Sequence, residues 1–270
     1  MQLKSVNIRN FKGIDEKNIV FKPGFNLIKG ANGTGKTSIL EAIAVGLGGF
    51  IAGLPDVVTR HFSSDEVRKV YMKTGDGSYN KTNIMPLEVT IEAVLDGKKY
   101  SWTRGKSSIN ASRSTTQPRD ICHKAEKMAE DSNCEFPVLA YLSASRVWSQ
   151  RRERTDDIFR KNYFRTVGYT DALIDASNTK LLLNWCMKME MLEWKKEKSI
   201  AEYEAVKHAV SQFMDIMEES NGHEVFYDKQ EEQLMYKVDD KILPITQLSA
   251  GYQSLVWMAF DIAYRMAVLN

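Results

Sequence analysis

Gly30-Ala31-Asn32-Gly33-Thr34-Gly35-Lys36-Thr37 decides how this 270-residue chain is read. The run fits G-x-x-x-x-G-K-[ST] in full, with the apolar stretch Phe25-Asn26-Leu27-Ile28 before it and a helical pattern from Thr37 to Ala44 after it. Gly30, Gly33 and Gly35 permit backbone geometry that a Cβ would forbid, so amides can converge on phosphate oxygens. Lys36 supplies positive charge to the β- and γ-phosphates, and Thr37 offers a hydroxyl to Mg²⁺. The helix behind the loop adds its N-terminal dipole. Asn32, Thr34 and Ser38 complete the expected contacts with ATP.

Working outward, Leu3, Val6 and Ile8 alternate as a strand, Asn10-Phe11-Lys12-Gly13 turns, and Ile19-Val20-Phe21 reads as a second strand ended by Pro23-Gly24. Phe25 to Ile28 reads as a third, fully buried strand. Leu87 to Val94 alternates and turns through Asp96-Gly97 into Tyr100-Ser101-Trp102-Thr103, a hairpin pattern. Residues Gly105 to Pro118 read as a loop, Asp120 to Ala129 as a short helix, and Phe136 to Leu142 as a buried strand. From Leu181 the period is helical: Leu182, Trp185, Met189 and Leu192 mark one face, and Val206, Val210, Phe213 and Met217 another. One bent helix and two helices fit equally. A late hairpin, Glu224 to Tyr227 with Leu234 to Val238, precedes a final helix from about Tyr252 to Leu269.

The bulk numbers exclude more than they assign. Hydrophobic residues at 43% are enough for a sizeable core, and a net charge of +2 neither demands nor forbids a nucleic-acid partner. Cys122, Cys134 and Cys186 make neither a disulfide framework nor a C-x-x-C site, which suits a reducing, cytoplasmic setting. The N-terminus lacks the apolar core of a signal peptide. Ile39 to Leu54 is the most apolar stretch, but Glu41, four glycines and its place behind Lys36-Thr37 make it the first helix of a nucleotide fold rather than a membrane span. His61, His123, His208 and His223 show no ligand spacing. Arg146 to Arg165 interleaves arginines with Trp148, Phe159, Tyr163 and Phe164, but Glu153, Asp156 and Asp157 interrupt the charge, so a solvated helix face is the simpler reading and nucleic-acid binding stays open.

Leu248-Ser249-Ala250-Gly251-Tyr252-Gln253-Ser254 resembles the signature motif of ABC-type ATPases. A Ser-x-Gly entrance to a helix presents free amides and a dipole to an anion. The resemblance implies that Ser249 and Gly251 touch the γ-phosphate held by a second copy. The start agrees: Arg9-Asn10-Phe11-Lys12-Gly13, followed by Gly24 to Gly33, resembles the SMC, recombination-repair and RecF group. This implies that Lys12 lies near the nucleotide and that Asn32 is the loop asparagine of that group. Phe62 to Arg68, Pro137 to Tyr141 with Arg146-Val147-Trp148, Gly168-Tyr169 leading to Asn184-Trp185, and Asp261 to Arg265 look like the ATPases of Septu and retron-associated anti-phage systems, a likeness running through most of the chain. Arg146, at the start of the basic run, is a further candidate nucleotide contact.

Two departures qualify the resemblance. The glutamine expected at the exit of the strand after the insert is absent from Leu142-Ser143-Ala144-Ser145-Arg146; Gln150 is the nearest, and the role either passes to Ser143 or Ser145 or is absent. The acidic strand end with its Mg²⁺-binding aspartate and catalytic glutamate, the Walker B half, does not occur, so the chain is expected to be a piece of a longer protein that binds ATP without efficient hydrolysis.

The expectation is an α/β P-loop NTPase head of ABC type with an N-terminal antiparallel β-subdomain and a helical insert. Its N-terminal lobe is 1–145, its insert 146–221, and 222–270 carries the hairpin, signature and last helix. The resemblance implies a dimerising ATPase that controls an HNH-type partner nuclease in phage defence. The alternatives are a RecF- or SMC-like DNA-repair ATPase, and the ATPase part of an overcoming-lysogenisation-defect nuclease with a fused TOPRIM domain.

Overall fold

The computed structural model describes residues 1–143, 164–175 and 178–270. The chain divides into two compact units, Met1–Pro137 and Val138–Asn270.

The first unit is a five-stranded antiparallel sheet with helices packed on it. Strands β1 (Gln2–Phe11), β2 (Ile14–Val20), β5 (Leu87–Leu95), β6 (Lys98–Lys106) and β7 (Thr115–Gln117) run in the order β2-β1-β5-β6-β7. A separate exposed hairpin joins β3 (Lys69–Lys73) to β4 (Tyr79–Asn83). Strict alternation buries Leu87, Val89, Ile91, Ala93 and Leu95 on one face of β5. Asp96 and Gly97 both take positive φ, 49° and 74°, and close the two-residue turn that pairs Leu95 with Lys98. Helix α1 (Lys36–Ile51) lies on the buried face, where the Trp102 indole N–H donates to the carbonyl of Gly46 at 2.8 Å. Helix α2 (Asp120–Glu130) follows.

Two expected strands do not form. Residues 25–28 have no regular structure, and Phe25 and Leu27 are 89% and 75% exposed. A strand needs a ladder partner, and 25–28 pairs with none of the described strands. Residues 136–142 are likewise irregular, although Phe136, Leu139 and Tyr141 are buried; the Tyr141 N–H donates to the carbonyl of Ala172 instead of to a strand. Within the expected loop 105–118, Thr115–Gln117 forms the edge strand β7.

The second unit packs α3 (Thr179–Lys196), α4 (Ala201–Glu218) and α5 (Ala250–Leu269) with a three-stranded sheet of β8 (Glu224–Asp228), β9 (Gln233–Val238) and β10 (Lys241–Pro244). Of the two open helical readings, two helices are correct. The α4 stripe is Val206, Val210 and Met214, at strict i, i+4 spacing; Met217 is exposed. At the centre Trp185 meets Tyr203 and Tyr264 edge-on, with ring centroids 5.5 and 5.2 Å apart.

The closeness of α1 to the sheet predicts that Gly49→Ala is destabilising. A Cβ there would stand 2.4 Å from the Trp102 indole nitrogen, which is fully buried. Overpacking of this kind costs roughly 1–3 kcal/mol. Urea denaturation should show a lower midpoint with an unchanged slope.

Candidate functional site

The residues 30–37 lie between the irregular segment 25–29 and the first turn of α1. Gly33 and Gly35 take φ of 81° and 85°, a region that a side chain would strain. Gly35 is the N-cap of α1 and offers no side-chain cap, so the first amides of the helix are available to an anion. Lys36 folds back over the loop, its Nζ donating to the carbonyls of Gly30 at 2.8 Å and Ala31 at 2.6 Å. Thr34 Oγ1 donates to the same Ala31 carbonyl at 2.9 Å. Ala31, Asn32, Gly33, Thr34 and Thr37 are exposed, and Ser38 is half-buried. Converging amides, one ammonium and an exposed hydroxyl at a helix N-terminus form a donor set that fits a triphosphate and the cation it carries.

Lys12 reaches the same helix. It has positive φ, 51°, at the β1–β2 turn, its N–H donates to the carbonyl of Glu66 at 2.7 Å, and its Nζ forms an ion pair with Glu41. Glu41 sits one turn after Thr37 on α1. Its charge is visible in the sequence; its partner, 29 residues upstream, is not.

In the second unit, Ser249 is the N-cap of α5 and its Oγ accepts from the Tyr252 N–H at 3.4 Å. Ser249, Ala250 and Gly251 are exposed, and nothing stands within 4 Å of a Cβ at Gly251. The Gln253 amide braces the entrance by donating to the carbonyls of Thr246 at 2.9 Å and Leu248 at 2.7 Å. The Ser-x-Gly turn is therefore both a helix cap and an open amide surface. Arg146, Ser145 and Gln150 lie outside the described residues. Ser143 is half-buried and donates to the carbonyl of Asp175 at 3.1 Å.

Asp261 and Arg265 of α5 form a two-pronged buried ion pair, at 2.8 and 3.1 Å, and Arg265 also donates to the carbonyls of Gly168 and Thr170. The i, i+4 spacing on a helix is the sequence signal for this pair. Its carboxylate is committed to the guanidinium and the pair acts in packing. Among the described residues, no group of three His, Cys, Asp or Glu side chains could hold a metal ion, and no helix is long and apolar enough to cross a membrane.

A family model described as an AAA domain matches residues 5–244. The chain is 54% identical over 43 residues to the DNA replication and repair protein RecF of Edwardsiella ictaluri (strain 93-146), and 51% identical over 43 residues to RecF of Escherichia coli (strain K12 / DH10B). Each match spans 16% of this chain and 12% of the relative. Among solved structures, an SMC head bound to the C-terminal winged-helix domain of ScpA is similar over 99% of this chain and 77% of its own, with a TM-score of 0.53 at 17% identity. The fold is thus like that of an SMC head, the α/β class expected.

The Asp261–Arg265 geometry gives a prediction. Arg265→Met takes the guanidinium away from the buried Asp261 carboxylate, a loss of roughly 3–5 kcal/mol. The double variant Asp261→Leu, Arg265→Met should recover a large part of it, as measured by urea denaturation followed by circular dichroism.

Proposed function

Since the chain belongs to the AAA domain family, we propose that it binds ATP·Mg²⁺ on Gly30–Thr37 and that nucleotide closes two heads face to face, with Ser249 and Gly251 of one head against the γ-phosphate held by the other. The observation that carries this is the loop itself: two positive-φ glycines, an uncapped helix start and a lysine curled over backbone carbonyls. Lys36 then moves from those carbonyls to the β/γ-phosphates, and Thr37 serves the cation together with phosphate oxygens and water. Lys12, held against α1 by Glu41, lies beside the phosphates. Arg146 belongs to this proposal on its place in the sequence alone.

In the protein to which this head belongs, ATP hydrolysis would reset the dimer. Its output is control of an HNH-type nuclease in anti-phage defence, a reading supported by the Septu- and retron-like motifs. A RecF- or SMC-like role at DNA is the second reading. It is favoured by the short, highly identical RecF segment. An overcoming-lysogenisation-defect nuclease is the third.

Two variants test the proposal. Lys36→Ala removes charge-assisted contacts worth roughly 1.5–3 kcal/mol, and ATP affinity measured by calorimetry should fall by about one to two decades. Unchanged affinity would remove the loop from consideration. Ser249→Arg should leave binding within one head nearly unchanged while abolishing dimer formation with a non-hydrolysable ATP analogue, as read by light scattering. A mutant that still dimerises would reduce Ser249 to a helix cap.

A further inference from the structure

Arg104, on β6, is 1% exposed. Its guanidinium donates to Thr116 Oγ1 at 2.9 Å and to the carbonyl of Arg60 at 2.6 Å, its Nε has no hydrogen-bond partner, and no carboxylate among the described residues neutralises it. A buried, uncompensated cation is expensive to maintain. The nearby carboxylate of Glu66 is taken by Arg60 at 2.7 Å and by the Ser63 N–H. Two residues along the same strand, Lys106 is also buried, at 5% exposure, with only the carbonyl of Phe62 as its partner at 3.4 Å and no carboxylate among the described residues.

Arg104 lines a cavity of about 870 Å³ within the first unit. Arg113 and Arg119 stand on the same wall, both exposed, with the hydroxyls of Ser114 and Thr116 and the ring of His61. Arg119 is 3.8 Å from Glu126, an exposed and loose contact; Arg113 has no ion pair among the described residues. His61 is held below its ordinary pKa by burial and then by Arg104 and Arg113, and its Nδ1 accepts from the Ser114 N–H at 3.0 Å. The N-terminus of α2, whose cap residue Arg119 offers no side-chain cap, opens on this wall through Arg119 and Cys122. Ala52, the C-cap of α1, is on it too, and the carbonyl end of that helix supplies only partial negative charge. Among the described residues, no carboxylate lines the cavity.

We propose that this cavity is a second anion site, distinct from the P-loop, that takes a small phosphorylated molecule, its phosphate drawn by Arg104 and gripped by Arg113 and Arg119. The two sites lie at opposite ends of α1, about 24 Å apart along the helix at 1.5 Å per residue. Arginine forks match a phosphate by paired hydrogen bonds, the hydroxyls of Ser114 and Thr116 serve its remaining oxygens, and a volume of this size admits a phosphorylated metabolite or a mononucleotide.

The experiment titrates inorganic phosphate, at constant ionic strength, into the whole protein with the P-loop saturated by ADP, and follows heat and thermal unfolding. Phosphate should bind and raise the melting temperature where chloride does not. Arg113→Ala with Arg119→Ala, two exposed positions that leave the fold intact, should weaken that binding about tenfold or more and leave ADP affinity unchanged. Arg104→Lys should weaken it as well. If Arg104→Lys fails to fold, the exposed pair decides alone. The proposal is overturned if phosphate stabilises no better than chloride, or if the arginine pair makes no difference. It is overturned equally if only oligonucleotides bind there, with affinity that grows with length, which would make the wall a nucleic-acid surface instead of a small-molecule site.

Discussion

Helix α1 can lie on the sheet only because Gly46 and Gly49 put no side chain on the face it turns to β5 and β6. A Cβ at Gly46 would stand 2.8 Å from Ile91 and one at Gly49 2.4 Å from Trp102. With both absent, the helix backbone comes near enough for the Trp102 indole to donate to a helix carbonyl, and a fully buried indole N–H is satisfied without any polar side chain. The contact fixes the axis of α1 relative to β6. Since the phosphate loop continues directly into α1, the direction in which its amides point is inherited from this packing. Arg104, two residues beyond Trp102 on the same face of β6, extends the restraint past the other end of the helix by holding the carbonyl of Arg60. One strand face therefore positions the helix and the segment that follows it.

The parts of this architecture with a local chemical cause were legible in the sequence. The hairpin at Asp96-Gly97 follows from two adjacent residues that tolerate positive φ, and the start of α1 follows from Gly35-Lys36-Thr37. The Ser249 cap likewise needs only its own neighbours. Failures fell where the answer depended on partners far along the chain. Phe25-Asn26-Leu27-Ile28 is apolar enough for a buried strand, but a strand exists only with a ladder, and none of the described strands pairs with it. Phe136 to Leu142 buries Phe136, Leu139 and Tyr141 without the strict alternation of a strand, and spends at least one backbone N–H on an irregular segment. The α4 stripe was misplaced by three residues at its end because Met214 and Met217 are equally apolar and only the tertiary core distinguishes them.

The candidate site divides in the same way. Gly30 to Thr37 is one contiguous run whose function is written in its order. Lys12 was linked to the nucleotide by resemblance alone; the physical tie is an ion pair to Glu41, a carboxylate that in the sequence served only as an argument against a membrane span. Arg104 belongs to no motif in the sequence. Its strand reads Tyr100-Ser101-Trp102-Thr103-Arg104, and alternation alone would place Arg104 on the same inward face as Trp102. Sequence reasoning tends to pass over such a residue, because a charge at an inward position is more easily taken as the end of the strand than as a buried cation.

The two arginines buried among the described residues define what this part of the molecule has and has not balanced. Arg265 meets Asp261 through both prongs of its guanidinium and spends a third nitrogen on backbone carbonyls, so charge and donors are accounted for inside one helix and its neighbouring turn. Arg104 is as deeply buried but meets only a hydroxyl, a carbonyl and an imidazole nitrogen, all neutral acceptors. Burial pulls its pKa down to about 10, which still leaves it charged at neutral pH. The difference between the two is thus one missing negative charge. In a fold whose other buried arginine is fully matched, that charge is most simply supplied from outside, through the cavity that Arg104 lines.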